Sequence, residues 1–374
     1  MPAAPTSEAS ARTRSANSEF GVSTQTTRSS LTFFFLLLVL LSLLPGCYYV
    51  HLAQGQARLL CARRPAEDVI AAPETPRDIK VILRSIQQAR DYAKELGLSV
   101  GSQYTEYVPW PDDRIITSLV VAEPASVDAR PFDYPIVGEL PYKGFFDLER
   151  AEREAESFKK RGYDVCLLAI PAYSTLGYFA DPITDPMLRR GEGPAVETVL
   201  HELVHATVFV DGDADLNESA ASFIGEEASV EFFRSDPDKA RQRRGEVDES
   251  RLIRAEMLGF RRQIQARYAR AKTVGPALLP EERNALEEAF RVQLRALPLS
   301  FRDPEQVAQD VSLNDACLAL KGTYYSDLTR HQEVLERAGG DLPLFIVQLK
   351  TAAERENPRA AFFAPSEPAP SPRD

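Results

Sequence analysis

The segment that most constrains this chain is VETVLHELVHATVFV, residues 196–210. Two of the four histidines in the 374-residue chain, His201 and His205, lie in it four positions apart, with Glu202 between them. On an α-helix, side chains at this spacing lie on one face. The rest of the segment is apolar almost all round, which is typical of a helix in a protein core. Buried imidazoles and carboxylates are costly unless they are paired or bind something. The segment therefore predicts a core helix that carries a metal site.

H-E-x-x-H is typical of zinc hydrolases, in which the two histidines bind the metal and the glutamate is the general base. By this pattern His201 and His205 are predicted zinc ligands and Glu202 the predicted catalytic base. The alternative is a chance match on a buried helix, with each histidine satisfied by a backbone carbonyl. We expect one Zn²⁺ as the cofactor.

A catalytic zinc usually has three protein ligands and a water, so a third ligand is needed. Glu218, thirteen positions after His205, lies in the first turn of a second predicted helix within DLNESAASFIGEEASVEFF, residues 215–233. Ala221 and Ser222 are predicted on the same side, and small residues there would let the two helices approach closely. The alternative for Glu218 is an acidic residue favoured by the helix macrodipole.

Other acidic residues near this segment have weaker claims. Glu226 and Glu227, two turns further along, are rival ligands. Asp211, Asp213 and Asp215 in the connecting loop are candidates for hydrogen bonds to the histidines, with ordinary polar loop residues as the alternative.

A hydrolytic site also needs a donor that stabilises the tetrahedral intermediate. Tyr173 and Tyr178, in PAYSTLGYF, are the candidates of choice as further catalytic residues. Tyr324, Tyr325 and His331 in the C-terminal part are the others. For any one of them, a packed or surface side chain is the alternative.

The N-terminus has the features of an export signal. LTFFFLLLVLLSLL, residues 31–44, is too short to span a hydrocarbon core comfortably but suits the apolar region of a signal peptide. It is followed by Leu44-Pro45-Gly46-Cys47, which resembles a bacterial lipobox. Residues 1–46 are therefore predicted to be a lipoprotein signal peptide and Cys47 the lipidated residue, with an uncleaved membrane anchor as the alternative. Either arrangement predicts a protein of the cell envelope, anchored on its periplasmic or outer-membrane side.

Charge and cysteine content bound the remaining possibilities. The net charge of −11 argues against nucleic-acid binding, which usually requires a basic surface. With Cys47 lipidated, three cysteines remain and allow at most one intrachain disulfide. Cys166, in the apolar run DVCLLAI, is most simply a small core residue.

The hydrophobic pattern predicts an α+β fold, a small N-terminal α/β-sheet subdomain (76–190) followed by a mainly helical one (191–355). Residues 47–75 are predicted to be an extended segment near the anchor with a short helix near 54–62. Ser235 to Asp248 is predicted to be a solvated charged stretch, and 356–374 a disordered tail. Predicted helices of the second subdomain are 194–210, 216–234, 249–272, 280–297, 312–321, 323–337 and 341–354.

Several motifs together resemble the bacterial family of putative aminopeptidases, predicted zinc-dependent lipoproteins of the H-E-x-x-H plus Glu (gluzincin-like) class. HELVHATVFV (201–210) and NESAASFIGEE (217–227) are the specific parts. VGELPYKGFF (137–146), GYDVCLLAIPAYSTLGYFADP (162–182), LNDACLAL (313–320) and the lipobox support them.

The resemblance implies a zincin-like helical half and a zinc peptidase, with Glu218 as the third ligand. It also implies that PAYSTLGYF is an edge strand that pairs with an extended peptide. The expected partners are a peptide substrate and a membrane, through Cys47. The alternative function is a non-catalytic envelope lipoprotein that uses the same fold to bind partners.

Overall fold

The computed structural model describes residues 48–134, 138–171, 180–273, 278–324 and 328–364, without the side chains of 321–324. By contacts the chain divides into two compact units, residues 1–53 and 54–374. Of the first unit, only residues 48–53 are described, and they form the start of a helix.

The first half of the chain alternates helices with short strands. Its elements are α1 (Tyr48–Cys61), β1 (Arg64–Pro65), α2 (Ala66–Ala71), α3 (Arg77–Glu95), β2 (Glu106–Val108), β3 (Ile116–Ala122), β4 (Phe132–Tyr134), β5 (Gly138–Leu140), β6 (Lys143–Phe145), α4 (Leu148–Lys160), β7 (Asp164–Ile170), β8 (Ile183–Thr184) and α5 (Asp185–Leu188).

The second half is helical in its described residues. Its elements are α6 (Glu192–His205), α7 (Ala214–Phe232), α8 (Pro237–Thr273), α9 (Pro280–Arg295), α10 (Pro304–Asp310), α11 (Asp315–Tyr324), α12 (Leu328–Arg337), α13 (Leu342–Ala353) and α14 (Pro358–Phe363). The predicted α+β class, with strands confined to the N-terminal half, is confirmed.

The main sheet is antiparallel, in the order β6-β3-β7, with Leu119 opposite Leu167 and Val120 opposite Cys166. Every residue of β3 is buried, because α4 and α11 both pack on this sheet. A strand buried on both faces reads as a continuous apolar run rather than an alternating one, and ITSLVVA in β3 has this pattern apart from Thr117 and Ser118. A second small sheet has the order β1-β2-β8, with β2 parallel to β8.

A disulfide joins Cys166 of β7 to Cys317 of α11. Cys166 is a core residue, as expected, and is also half of the one disulfide that the cysteine count allowed. Both sulfur-bearing side chains lie in a small core cluster with Val120 and Ala122 of β3. The bond therefore links the sheet to the helical half.

The largest core cluster surrounds α6. Val196, Val199, Leu200 and Leu203 are completely buried there, and α3, α5 and α7 pack around the helix. The core position predicted from its apolar sequence is therefore observed.

Two local predictions are wrong, and a third is only partly right. The segment after Cys47, predicted to be largely extended, is helical over most of 48–71. The charged stretch 235–248 is mostly exposed, as predicted, but from Pro237 on it belongs to the long helix α8, and Arg243 within it is only 5% exposed and pairs with Glu197 and Glu246. The chain from 356 on contains a further helix, α14, whose Phe362 is buried. Residues 365–374 lie outside the described part.

Helix α6 also ends earlier than the apolar pattern predicts, at His205 rather than at residue 210. Gly212 has a φ of 75°, which is costly for other residues, and forms the turn into α7. The Asn217 side chain accepts a hydrogen bond from the Val210 N–H and donates one to the Val210 carbonyl, both at 2.8 Å. These two bonds satisfy the backbone N–H and carbonyl groups of Val210, in the loop that joins the two helices.

Candidate metal centre

Helices α6 and α7 bring His201, His205 and Glu218 together. The two histidine Nε2 atoms lie 3.1 Å apart, and Glu218 Oε2 lies 3.6 Å from each of them. A hydrogen bond between the two imidazoles would account for the first distance. It would not account for a carboxylate oxygen equidistant from both nitrogens. The three predicted ligands thus converge on one point, and they form the single potential metal-binding group found among the described residues.

The donor set fits a zinc ion. Bonds of 2.0–2.1 Å in tetrahedral geometry place ligand atoms about 3.3–3.4 Å apart, close to the three distances observed. Two imidazole nitrogens and one carboxylate oxygen also form the ligand set of one class of catalytic zinc site. The side chains of His201 and Glu218 remain 20% and 25% exposed, so the site opens to solvent on one side.

Glu218 is ionised in this setting. Burial alone would raise its pKa, but hydrogen bonds to His201 and His205, together with their charges, outweigh burial and lower the pKa to about 2. For His201 burial lowers the pKa, but the hydrogen bond to Glu218 and the charges of nearby glutamates more than offset it. The carboxylate is therefore available as an anionic ligand at neutral pH.

The close approach of the two helices depends on a glycine. A Cβ atom added at Gly225 would lie 3.1 Å from the Glu197 carbonyl oxygen and 3.1 Å from His201 Cβ. Gly225 follows Glu218 by seven residues and Ala221 by four, so the three lie on one face of α7. Ala221 is completely buried, as expected for a small residue at this contact.

The two rival ligands, Glu226 and Glu227, form ion pairs with arginines of α8. Glu226 is 1% exposed and pairs with Arg251, at 2.7 Å, and with Arg254. Glu227 pairs with Arg244 at 2.6 Å and with Arg251 at 2.8 Å. Each is therefore held by two cations of α8, and neither belongs to the converging group.

None of the three candidate aspartates of the loop forms a hydrogen bond with His205 Nδ1. His205 Nδ1 has no partner within the described part of the chain. Asp213 instead accepts from the Leu216 N–H at 3.0 Å, as the N-cap of α7, and pairs with Arg359.

Of the side chains predicted to donate a hydrogen bond to the tetrahedral intermediate, only that of His331 lies within the described part of the chain. Tyr173, Tyr178 and Tyr325 lie outside the described residues, as does the side chain of Tyr324, so their proposed role stays a prediction. The suggested strand PAYSTLGYF falls almost wholly in the same gap. His331 is described and is completely buried, with its Nε2 atom 2.9 Å from Ser219 Oγ. It cannot reach a substrate, and this candidate is wrong.

Tyr104 is a core tyrosine whose electrostatic surroundings include Glu202. It is 2% exposed, has a φ of 60°, and donates its backbone N–H to the Asp181 carbonyl at 2.7 Å. Burial raises its pKa well above the ordinary value, and the negative charges of Glu202 and Asp181 add to that effect. The phenol is therefore protonated. Nothing in the local sequence, SVGSQYTEY, distinguishes this tyrosine from a core residue.

Comparison with known families adds one finding. A model of the family described as "Putative aminopeptidase" matches residues 47–361. Searches among curated proteins and among solved structures found no match. The match covers most of the chain, including both helices of the candidate metal centre and the whole of the N-terminal sheet region. The chain therefore belongs to the putative aminopeptidase family, whose name suggests a peptidase activity.

Proposed function

We propose that this protein is a zinc-dependent peptidase, most simply an aminopeptidase, whose site is built from His201, His205, Glu218 and Glu202. The observation that carries the proposal is the placement of Glu218 Oε2 at 3.6 Å from both histidine Nε2 atoms, on a separate helix. The family name supports the peptidase class. The donor set supports zinc.

The roles of the residues follow from their chemistry. Zinc, when bound, lowers the pKa of a coordinated water and polarises a carbonyl group. His201, His205 and Glu218 would hold the ion, and their fixed helices keep the three donors in place. Glu202, next to His201 on the half-buried side of α6, accepts a proton from the attacking water and delivers it to the leaving amine. Tyr173 and Tyr178 remain the candidate hydrogen-bond donors for the intermediate, whereas Tyr104, at 2% exposure, is nearly as buried as His331 and is not one of them.

The decisive experiment separates metal binding from catalysis. Glu202→Gln preserves the shape of the side chain and removes the base, so we expect zinc to stay stoichiometric and peptide hydrolysis to fall by a factor of about 10² or more. Glu218→Gln should instead weaken zinc binding. Glu281→Gln, an exposed glutamate in the first turn of α9, is the control for a loss of one negative charge. Hydrolysis by Glu202→Gln at the unmodified rate would exclude the catalytic role.

Two series of test substrates would show whether the protein cleaves at the amino terminus of a peptide or within it. Aminoacyl amides with a free amino terminus, and internally quenched peptides with a blocked one, distinguish exopeptidase from endopeptidase activity. We expect the free amino terminus to be required. A protein that binds zinc stoichiometrically and cleaves neither series would be a binding lipoprotein rather than an enzyme.

We also propose that the protein is anchored in the cell envelope through lipidated Cys47. The family match begins at this residue, and a disulfide between Cys166 and Cys317 is typical of proteins outside the reducing cytosol. None of the helices in the described ranges combines the length and hydrophobicity that a membrane span requires. Cys47→Ser should move the protein from the detergent phase to the aqueous phase in a phase-partition assay, whereas Cys61→Ser should not.

A further inference from the structure

Helix α14, near the C-terminus, contacts the beginning of the helix that carries Glu218. Arg359 donates from Nε to Asp213 Oδ2 at 2.8 Å and from Nη2 to Asp213 Oδ1 at 2.5 Å. Both side chains are partly buried, at 31% and 24% exposure. A two-bond pair between a guanidinium and a carboxylate has a fixed relative geometry, unlike a single contact between flexible side chains.

Asp213 transmits this contact to α7. It is the N-cap of that helix and accepts a hydrogen bond from the Leu216 N–H at 3.0 Å. The bonds from Arg359 lower the pKa of Asp213, so the carboxylate is charged at neutral pH. Glu218 lies five residues beyond the cap, about 7–8 Å along the helix axis. The cap and the Glu218 carboxylate therefore lie within about a turn and a half of one another on α7.

A second contact of α14 reaches the same helix on its buried side. Phe362 packs against His331 of α12 and Phe345 of α13, with ring centroids 5.6 Å and 5.2 Å apart. His331 in turn stacks on Phe223 of α7 at 5.5 Å, and its Nε2 atom lies 2.9 Å from Ser219 Oγ. Ser219 is the neighbour of Glu218 in the chain. Helix α14 is thus linked to α7 both before and after the position of the third ligand.

We propose that Arg359 is a positioning residue for the metal centre. By holding Asp213 it fixes the first turn of α7, and thereby the distance of the Glu218 carboxylate from His201 and His205. This inference rests on the proposed function, since it assumes that these three residues bind a metal. Metal sites require their ligands within about 0.5 Å of the productive geometry, and loss of a supporting partner typically costs 10–100-fold in metal affinity. A salt bridge with a purely structural role would leave metal affinity unchanged.

The test is a double-mutant cycle on metal affinity in the full-length protein. Asp213→Asn keeps a good N-cap and removes the ion pair. Arg359→Gln removes the other partner, and Arg359→Lys keeps the charge without the two-bond geometry. Zn²⁺ affinity is measured by competition with a chromophoric chelator, and the visible spectrum of the Co²⁺-loaded protein reports ligand geometry. Arg355→Gln, exposed and four residues earlier in the chain, is the matched control.

We expect Asp213→Asn and Arg359→Gln each to weaken Zn²⁺ binding 10–100-fold, with no further loss in the double variant. Arg359→Lys should lose less, and the Co²⁺ spectrum should change in the three pair variants but not in Arg355→Gln. Unmodified affinity and spectrum in folded Arg359→Gln, or in Arg359→Lys if the glutamine variant does not fold, would overturn the inference. Failure of the unmodified protein to bind Zn²⁺ at all would instead overturn the proposed function.

Discussion

Gly225 lies at the contact between α7 and α6, and its substitution tests how tightly the two helices pack. In Gly225→Ala the added methyl group would meet the Glu197 carbonyl and His201 at 3.1 Å. Overpacking of this kind costs about 1–3 kcal/mol, which should exceed the gain of about 1 kcal/mol from replacing a helical glycine. We therefore expect a net loss of stability in urea unfolding, together with weaker zinc binding. Gly259→Ala in α8, where a Cβ would contact nothing within 4 Å, should stabilise the protein instead. Equal gains in both variants would show that the helices can separate freely.

His331 makes the folded protein sensitive to acid. Burial, with a smaller effect of the charges on Arg330 and Arg359, lowers its pKa to about 3. The unfolded chain binds a proton near pH 6.5 and the folded chain does not, so this contribution to stability is complete above pH 6.5 and decreases as the pH falls towards 3. The slope is at most about 1.4 kcal/mol per pH unit. His331→Gln should have a shallower dependence of melting temperature on pH between 6.5 and 4. Parallel curves for the two proteins would contradict this account.

The sequence was most informative about residues whose partners are set by helical periodicity. His201 and His205 share a face because of their spacing, and Glu218 could be placed because its helix follows directly. Tyr104 and Arg359 could not be predicted in this way. Tyr104 approaches Glu202 from about a hundred residues earlier in the chain, and Arg359 reaches Asp213 from 146 residues later. No local pattern encodes such contacts.

At the scale of elements, the disulfide between β7 and α11 is a covalent link that two substitutions remove. It closes a sequence separation of 151 residues, and loss of a native disulfide typically costs about 2–5 kcal/mol. We expect the double variant Cys166→Ala/Cys317→Ala to be less stable by this amount in oxidising buffer. Reductant should lower the stability of the unmodified protein and leave the double variant unaffected. Cys61→Ala, at an exposed free cysteine, is the control. A double variant as stable as the unmodified protein would show that the bond contributes nothing.

Helices were predicted well where their apolar face is continuous, and poorly where charge governs the boundary. The start of α8 is rich in charged residues, and most of them are exposed, as predicted. Arg243 is the exception: it is buried and pairs with Glu197 of α6 and with Glu246. Helix α14 was missed because its buried residue, Phe362, stands next to a proline- and serine-rich terminus. In both cases contacts from distant parts of the chain decide the structure, overriding the local composition.

At the scale of the whole molecule, the candidate metal centre joins two central helices of the largest core cluster. A ligand that binds only the folded state stabilises it by about 4 kcal/mol when its concentration is 1,000 times its dissociation constant. Zinc should therefore raise the melting temperature of the protein by several degrees over the same protein in chelator. Glu202→Gln should keep this increase, because Glu202 is not a ligand, whereas Glu218→Gln and His201→Ala should lose most of it. Identical melting temperatures of the unmodified protein in zinc and in chelator would mean that the three side chains converge without binding an ion. The zinc-induced rise in melting temperature distinguishes the proposed ligands from the proposed base, Glu202, without an assay of hydrolysis. It therefore tests these roles even when the physiological substrate is unknown.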